Sequence, residues 1–136
     1  MKTIQSIHKY GFLALLFSAS SMVSAGELYL ISHAGMKVSE AEVREIFLGE
    51  KQLNGNTKIT AVDNKAAQDD FLKNVVQMDA EKYSKYWFKK FFRDGVKPPT
   101  TKDGDTETLN FIKITNGAVG YVSNKPSGDV NIIKKF

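Results

Sequence analysis

The sequence contains no cysteine. No disulfide can staple the fold, even in an oxidising compartment, so stability has to come from packing. Histidine is nearly absent. His8 lies in the N-terminal apolar segment, and His33 stands alone after a short apolar run. A lone imidazole without a spaced cluster of carboxylates does not make a metal centre. The chain also lacks a Ser/His/Asp or Cys/His arrangement, an HExxH motif and a glycine loop of the nucleotide-binding type. No catalytic activity, metal or cofactor is therefore expected. Charge of one sign is in short supply: 19 Lys and Arg stand against 15 Asp and Glu, leaving a formal +4. That is a weak bias toward anions and makes no case for nucleic-acid binding. No internal repeat or low-complexity tract is visible.

The first twenty-five residues carry three successive signals. Lys2 and Lys9 make a basic start, Gly11 to Phe17 is almost wholly apolar, and Val23-Ser24-Ala25 has the small-x-small pattern of a cleavage site. The expectation is a secretory signal peptide over residues 1–25, cut after Ala25, and a periplasmic mature chain. The apolar run is too short to span the roughly 30 Å of a bilayer core. No cysteine follows the cut, so no lipid anchor is expected there. Lys2 and Lys9 leave with the signal and take two of the four surplus positive charges. What remains, residues 26–136, suits one compact domain with a modest core.

Along that stretch strands and helices alternate. Leu28–Ile31 reads as a first strand. Ser39 caps a helix and Glu42, three residues on, completes a capping box, with Val38 and Val43 placed as a hydrophobic staple. Val43, Ile46 and Phe47 give that helix one apolar face, and Gly49 ends it. Leu53–Gly55 reads as a turn and Lys58–Val62 as a strand. Asp63 or Asn64 is expected to cap a second helix that buries Phe71, Leu72, Val75 and Val76. Asp79 caps a third helix ending at Gly95. Lys97 to Gly104 reads as a loop. Asp105 or Thr106 starts a fourth helix, with Leu109, Phe111 and Ile112 buried, and Asn116-Gly117 stops it. Ala118–Val122 is a strand, Asn124–Asp129 a turn-rich loop and Val130–Ile133 a closing strand. The alternation predicts an α/β sandwich with a mainly parallel sheet flanked by helices, and Phe47, Phe71, Trp87, Phe91 and Tyr121 are its predicted core.

Two short motifs, Ile46-Phe47-Leu48-Gly49 and Gly117-Ala118-Val119-Gly120-Tyr121-Val122, occur in order around the aromatic helix through Tyr86-Trp87-Phe88. In this conjunction the chain resembles the substrate-binding proteins of phosphate ABC transporters, the PstS-like family. The resemblance covers about Leu28 to Ser123. It implies one lobe of a periplasmic-binding-protein (type II) fold, a phosphate or other oxyanion as ligand, and a role in uptake or sensing.

The resemblance also exposes two departures. Members of the family close two lobes on their ligand, and this chain is long enough for one. The family's anion loop has an Arg two residues before an Asp, followed by Gly-Ser-Gly-Thr. Aligned on Phe71, the Asp falls on Asp63 and the Arg on Ala61. The Gly-Ser-Gly-Thr positions are Asn64, Lys65, Ala66 and Ala67. The Arg and the hydroxyl donors are gone, and each lost bond is worth about 1–3 kcal/mol. What survives is the backbone. If a helix begins near Asn64, its amides from Asn64 through Lys65, Ala66 and Ala67 to Gln68 form the candidate anion site, with Lys65 as a point charge beside them. Asp69 and Asp70 oppose an anion there.

The third helix interleaves Tyr83, Tyr86, Trp87, Phe88, Phe91 and Phe92 with Lys82, Lys85, Lys89, Lys90 and Arg93. Tyr83, Trp87 and Phe91 recur every four residues as a core stripe, and the lysines solvate the other face. The remaining aromatics exceed what one stripe needs and fit a partner interface, including a homodimer. Two function classes follow. The protein is a periplasmic solute-binding module for phosphate or a related oxyanion. Alternatively, it is a lobe that has lost its ligand and docks on a sensor, porin or transporter.

Overall fold

The computed structural model describes residues 26–136. The expected signal peptide, residues 1–25, lies outside the described residues. A five-stranded sheet organises the described chain, in the order β5-β4-β6-β1-β7. Its strands are β1 (Tyr29–His33), β4 (Thr60–Asn64), β5 (Thr100–Lys102), β6 (Ala118–Val122) and β7 (Val130–Lys135). β4 pairs in parallel with both β5 and β6, whereas β1 lies antiparallel between β6 and β7. Four strands therefore share one direction and β1 runs against them, which is the mainly parallel α/β sheet that the alternation predicts. A small hairpin, β2 (Leu53–Asn54) with β3 (Thr57–Lys58), turns through Gly55 and precedes β4.

Four helices cover the sheet: α1 (Glu40–Phe47), α2 (Gln68–Phe71), α3 (Ala80–Asp94) and α4 (Asp105–Ile114), with a π-helical turn, Leu72–Val76, continuing α2. The pleat sends alternate residues to opposite faces. Leu28, Leu30, Val119 and Tyr121 join α1, α2 and α3 in one cluster with Phe47, Phe71 and Trp87. Tyr29, Ile31, Val62 and Val122 face the other way, against Ile112 of α4. The result is a three-layer sandwich with two apolar clusters.

The local signals explain the helix ends. Ser39 and Glu42 form the reciprocal capping box, and Gly49 follows α1 at φ +73°. Asp79 caps α3 by accepting from Lys82 N, and Gly95 ends it in the left-handed region. The two motifs have packing reasons. Phe47 sits edge-on to Phe71 with centroids 4.6 Å apart, and Phe71 stacks on Tyr121 at 3.9 Å. Trp87 Nε1 donates to Phe47 O at 3.1 Å, and the Tyr86 hydroxyl donates to Leu48 O, so α3 grips the end of α1. Gly120 has no side chain because a Cβ there would lie 2.7 Å from Ile112 Cδ1 and 3.0 Å from Val62 O.

Four expectations need correction. The second helix begins at Gln68, four residues later than expected, because β4 continues through Asn64 in register with Lys102 of β5. Thr100–Lys102, read as loop, is that edge strand. In α4 only Ile112 of the three apolar residues is fully buried; Leu109 and Phe111 are half-buried and Thr108 takes a core position. Phe91 is 43 % exposed, although Tyr83 and Trp87 are buried. A four-residue step overshoots one turn by about 40°, so a stripe at that spacing rotates out of the core by its third member.

Candidate functional site

β4 ends where the chain changes direction across the sheet. The connection after β4 leads to β5 on one side, and the connection after β5 crosses to β6 on the other. Such switch points leave a crevice beyond the carboxyl ends of the strands, and ligands of open α/β sheets sit there. Here that position is occupied by Asp63, Asn64 and the turn to α2.

Asp63 is 3 % exposed. Tyr121 of β6 donates its hydroxyl to Asp63 Oδ1 at 2.7 Å, and Tyr83 of α3 donates to Oδ2 at 2.9 Å. Burial pushes the carboxyl above its ordinary value, and the hydrogen bonds from Tyr121 and Tyr83 pull it partly back. Both phenols are raised, by burial first and then by the charge of Asp63. The sequence signals for this triad were only the residue types. Three residues 20 and 58 positions apart meet because the helix and two strands pack together.

Asn64 does not cap a helix. Its side-chain amide donates to Asp105 Oδ1 at 2.8 Å and to Tyr121 O at 3.1 Å, and its Oδ1 accepts from Ala66 N at 3.1 Å. Lys65 N donates to Lys102 O at 2.9 Å, and Ala67 N to Asn64 O at 3.0 Å. Three of the candidate amides, those of Lys65, Ala66 and Ala67, thus already have acceptors inside the chain. The first helical bond of this segment runs from Phe71 N to Ala67 O. The N–H groups ahead of it, of Gln68, Asp69 and Asp70, are those a helix start leaves without an intrahelical acceptor. The Lys65 side chain is exposed, Ala66 is exposed, Ala67 is buried and Gln68 is half-buried. The structure therefore shifts the donors of the candidate site forward, from Asn64–Ala67 to Gln68 and the residues after it.

Asp105 is the residue that sequence reasoning placed only as a helix start. Its carboxylate accepts from Ser123 N and Oγ, from Asn124 N and Nδ2, and from Asn64 Nδ2, at 2.8–3.2 Å. Burial raises its pKa, but the opposing bonds from Ser123, Asn64 and Asn124 outweigh burial and leave it below the ordinary aspartate value. It ties α4 to the ends of β4 and β6 and so holds the crevice in shape.

Two hollows flank β4, one at each end. One, of about 570 Å³, runs between α3 and the Pro98-Pro99 segment from Gln68 and Asp63 to Phe88 and Phe92. The other, of about 580 Å³, lies at the opposite end of β4, with Lys51, Lys58 and Lys97 around Ile59 and Trp87. Among the described residues no group of three or more His, Asp or Glu side chains is placed to hold a metal ion, and no helix is long and apolar enough to cross a membrane.

No protein-family model matches the chain. No curated protein matches it either. Solved structures do. It is similar to a Clostridium perfringens protein assigned as a phosphate ABC transporter substrate-binding protein, with phosphate bound. The TM-score is 0.59 at 16% identity, over 81% of this chain and 46% of that one. It is also similar to an ABC-type phosphate transport receptor from Vibrio cholerae, with a TM-score of 0.52 at 14% identity, over 81% of this chain and 47% of that one. At these identities the likeness is one of fold. The described chain has the fold of one lobe of the phosphate ABC transporter substrate-binding proteins, and it spans about half the length of the proteins it matches.

Proposed function

We propose that the protein is a periplasmic solute-binding-like lobe that takes phosphate or another oxyanion weakly, for uptake or sensing. The observation that carries this reading is the position of the turn after Asp63. It lies at the carboxyl end of β4, at the switch point of a sheet shared in fold with phosphate transport receptors. The anion would meet the N–H groups from Gln68 onward, with Lys65 Nζ beside them and Asn64, Ala66 and Ala67 forming the turn beneath. Asp69 and Asp70 stand in the same turn and oppose it. An open half-site leaves the ligand in contact with water, so affinity is weak and falls with salt. A second lobe, from a dimer mate or a transporter, would close it.

Calorimetric titration of phosphate and sulfate into the protein tests this. Lys65→Glu should abolish binding and Lys58→Glu, an exposed lysine at the opposite end of β4, should leave it intact. Equal loss in both variants, or no heat with the unsubstituted protein, overturns the reading.

A second reading, a lobe without ligand that works by docking on a sensor, porin or transporter, is favoured by one observation. Phe88, Phe91 and Phe92 stand exposed on a single helix face.

A further inference from the structure

The outer face of α3 is divided in two. Phe88 is 66 % exposed, Phe92 71 % and Phe91 43 %. Phe88 and Phe92 lie one turn apart with ring centroids at 4.6 Å, and Phe91 meets Phe92 edge-on at 5.4 Å. This is a contiguous aromatic ridge, and soluble proteins rarely expose one without a partner for it. Each residue advances about 100° around the helix. On that wheel Lys82, Lys85, Lys89 and Arg93 fall in one arc directly beside the ridge. Lys85 is paired with Glu81 and Arg93 with Asp94. Lys82 and Lys89 make no ion pair among the described residues. The helix as a whole carries five basic side chains against Glu81 and Asp94.

A hollow of about 570 Å³ runs along one side of the ridge, walled by Ser84, Phe91, Pro98 and Pro99. On the other side Phe88, Lys89, Phe92 and Arg93 form open helix surface. A ridge made of residues four apart, with a groove along its side, is a surface that a second helix packs against. A lipid surface needs no hollow, and it would leave this one unfilled.

We propose that this face docks an amphipathic helix of a partner protein, whose apolar side chains fill the hollow beside Phe88 and Phe92 and whose acidic side chains meet Lys82, Lys85, Lys89 and Arg93. The proposal rests on the docking reading above and names its partner's chemistry. Charge decides between this occupant and a second copy of the chain. Two copies of α3 packed antiparallel through their ridges bring the two basic arcs face to face, and like charges across an interface are costly. An acidic helix neutralises the arc instead. It also adds the long-range attraction that speeds encounter at low salt.

The experiment uses two fluorescein-labelled helical peptides with the same leucine stripe, one flanked by glutamates and the other by lysines. Each is titrated with the protein and read by anisotropy. The acidic peptide should bind at least about tenfold tighter than the basic one, a difference of about 1.4 kcal/mol. Phe88→Ser with Phe92→Ser should weaken it by about tenfold or more. Lys82→Glu with Lys89→Glu should reverse the preference while leaving the thermal unfolding midpoint in place. Equal binding of both peptides, or binding indifferent to the Phe88 and Phe92 changes, overturns the proposal. Two further arms separate it from the docking reading on which it rests. If the acidic peptide fails but sedimentation equilibrium shows a dimer lost in Phe88→Ser, or vesicles containing phosphatidylglycerol bind through the same residues, the surface docks and the acidic helix is the wrong partner. If neither peptide, self-association nor vesicle binding depends on Phe88 and Phe92, both fall.

Discussion

Tyr121 holds Asp63 with its hydroxyl, at 2.7 Å, while its ring stacks on Phe71 at 3.9 Å and 8° between planes. One side chain thus joins the polar end of β4 to the apolar core beneath α2. Only an aromatic ring bearing a hydroxyl does both. The Tyr83 hydroxyl completes the arrangement from α3.

The first expected outcome concerns that hydroxyl. Tyr121→Phe keeps the stack and removes one of the two donors to a buried carboxylate. It should cost about 1–3 kcal/mol, as a buried polar group left short of partners does. Tyr83→Phe should cost a similar amount. The double variant should cost more than the sum, because Asp63 is then buried with neither donor. Urea unfolding of the four proteins measures the coupling directly.

The two aspartates should make opposite contributions to the pH dependence of stability. Asp63 has a raised pKa in the folded protein, so the folded state holds its proton more tightly than the unfolded state. Its contribution is fullest below the ordinary value of 3.8 and is lost as pH rises through the folded value. Asp105 has a lowered pKa, so its contribution is present above 3.8 and is lost as pH falls through the folded value. Asp63→Asn should therefore remove a decline in stability on the neutral side of 3.8. Asp105→Asn should remove a decline on the acid side. Unfolding free energies across the acid range, compared by slope with the unsubstituted protein, check both signs.

Gly117 and Gly55 should respond differently to alanine. Both have positive φ, +88° and +61°, so each substitution carries the left-handed penalty of about 1–2 kcal/mol. At Gly55 a Cβ meets nothing within 4 Å, whereas at Gly117 it would lie 2.2 Å from the carbonyl oxygen of Lys58. Backbone cannot swing aside. Gly117→Ala should lower the unfolding midpoint well beyond Gly55→Ala, and equal shifts would show that the β3–β4 segment moves freely relative to β6.

Trp87→Ala should cost about 3–5 kcal/mol, the range for a buried large aromatic. The ring is 6 % exposed and its indole N–H is bonded to Phe47 O. Its fluorescence in the folded protein should be that of a shielded indole. Emission typical of an indole in water would contradict the core placement.

Sequence and tertiary structure divide the account along a physical line. The sequence by itself determined the elements whose signals are local: the Ser39–Glu42 capping box, the Asp79 cap, the glycine stops at Gly49 and Gly95, the strand at Ala118–Val122, and from their alternation the α/β class. Caps and turns are settled by residues within a few positions of one another. Only the tertiary structure decided where β4 ends, because Asn64 stays in the sheet through pairing with Lys102 and a side-chain bond to Asp105, 41 residues away. That single long-range choice delayed α2 to Gln68 and consumed amides that a helix starting at Asn64 would have left free. It likewise decided how wide an arc of α3 the core covers, which takes in Tyr83 and Trp87 and stops short of Phe91. A stripe at four-residue spacing drifts about 40° per step, and only the packed surface beneath the helix fixes where along that drift burial ends.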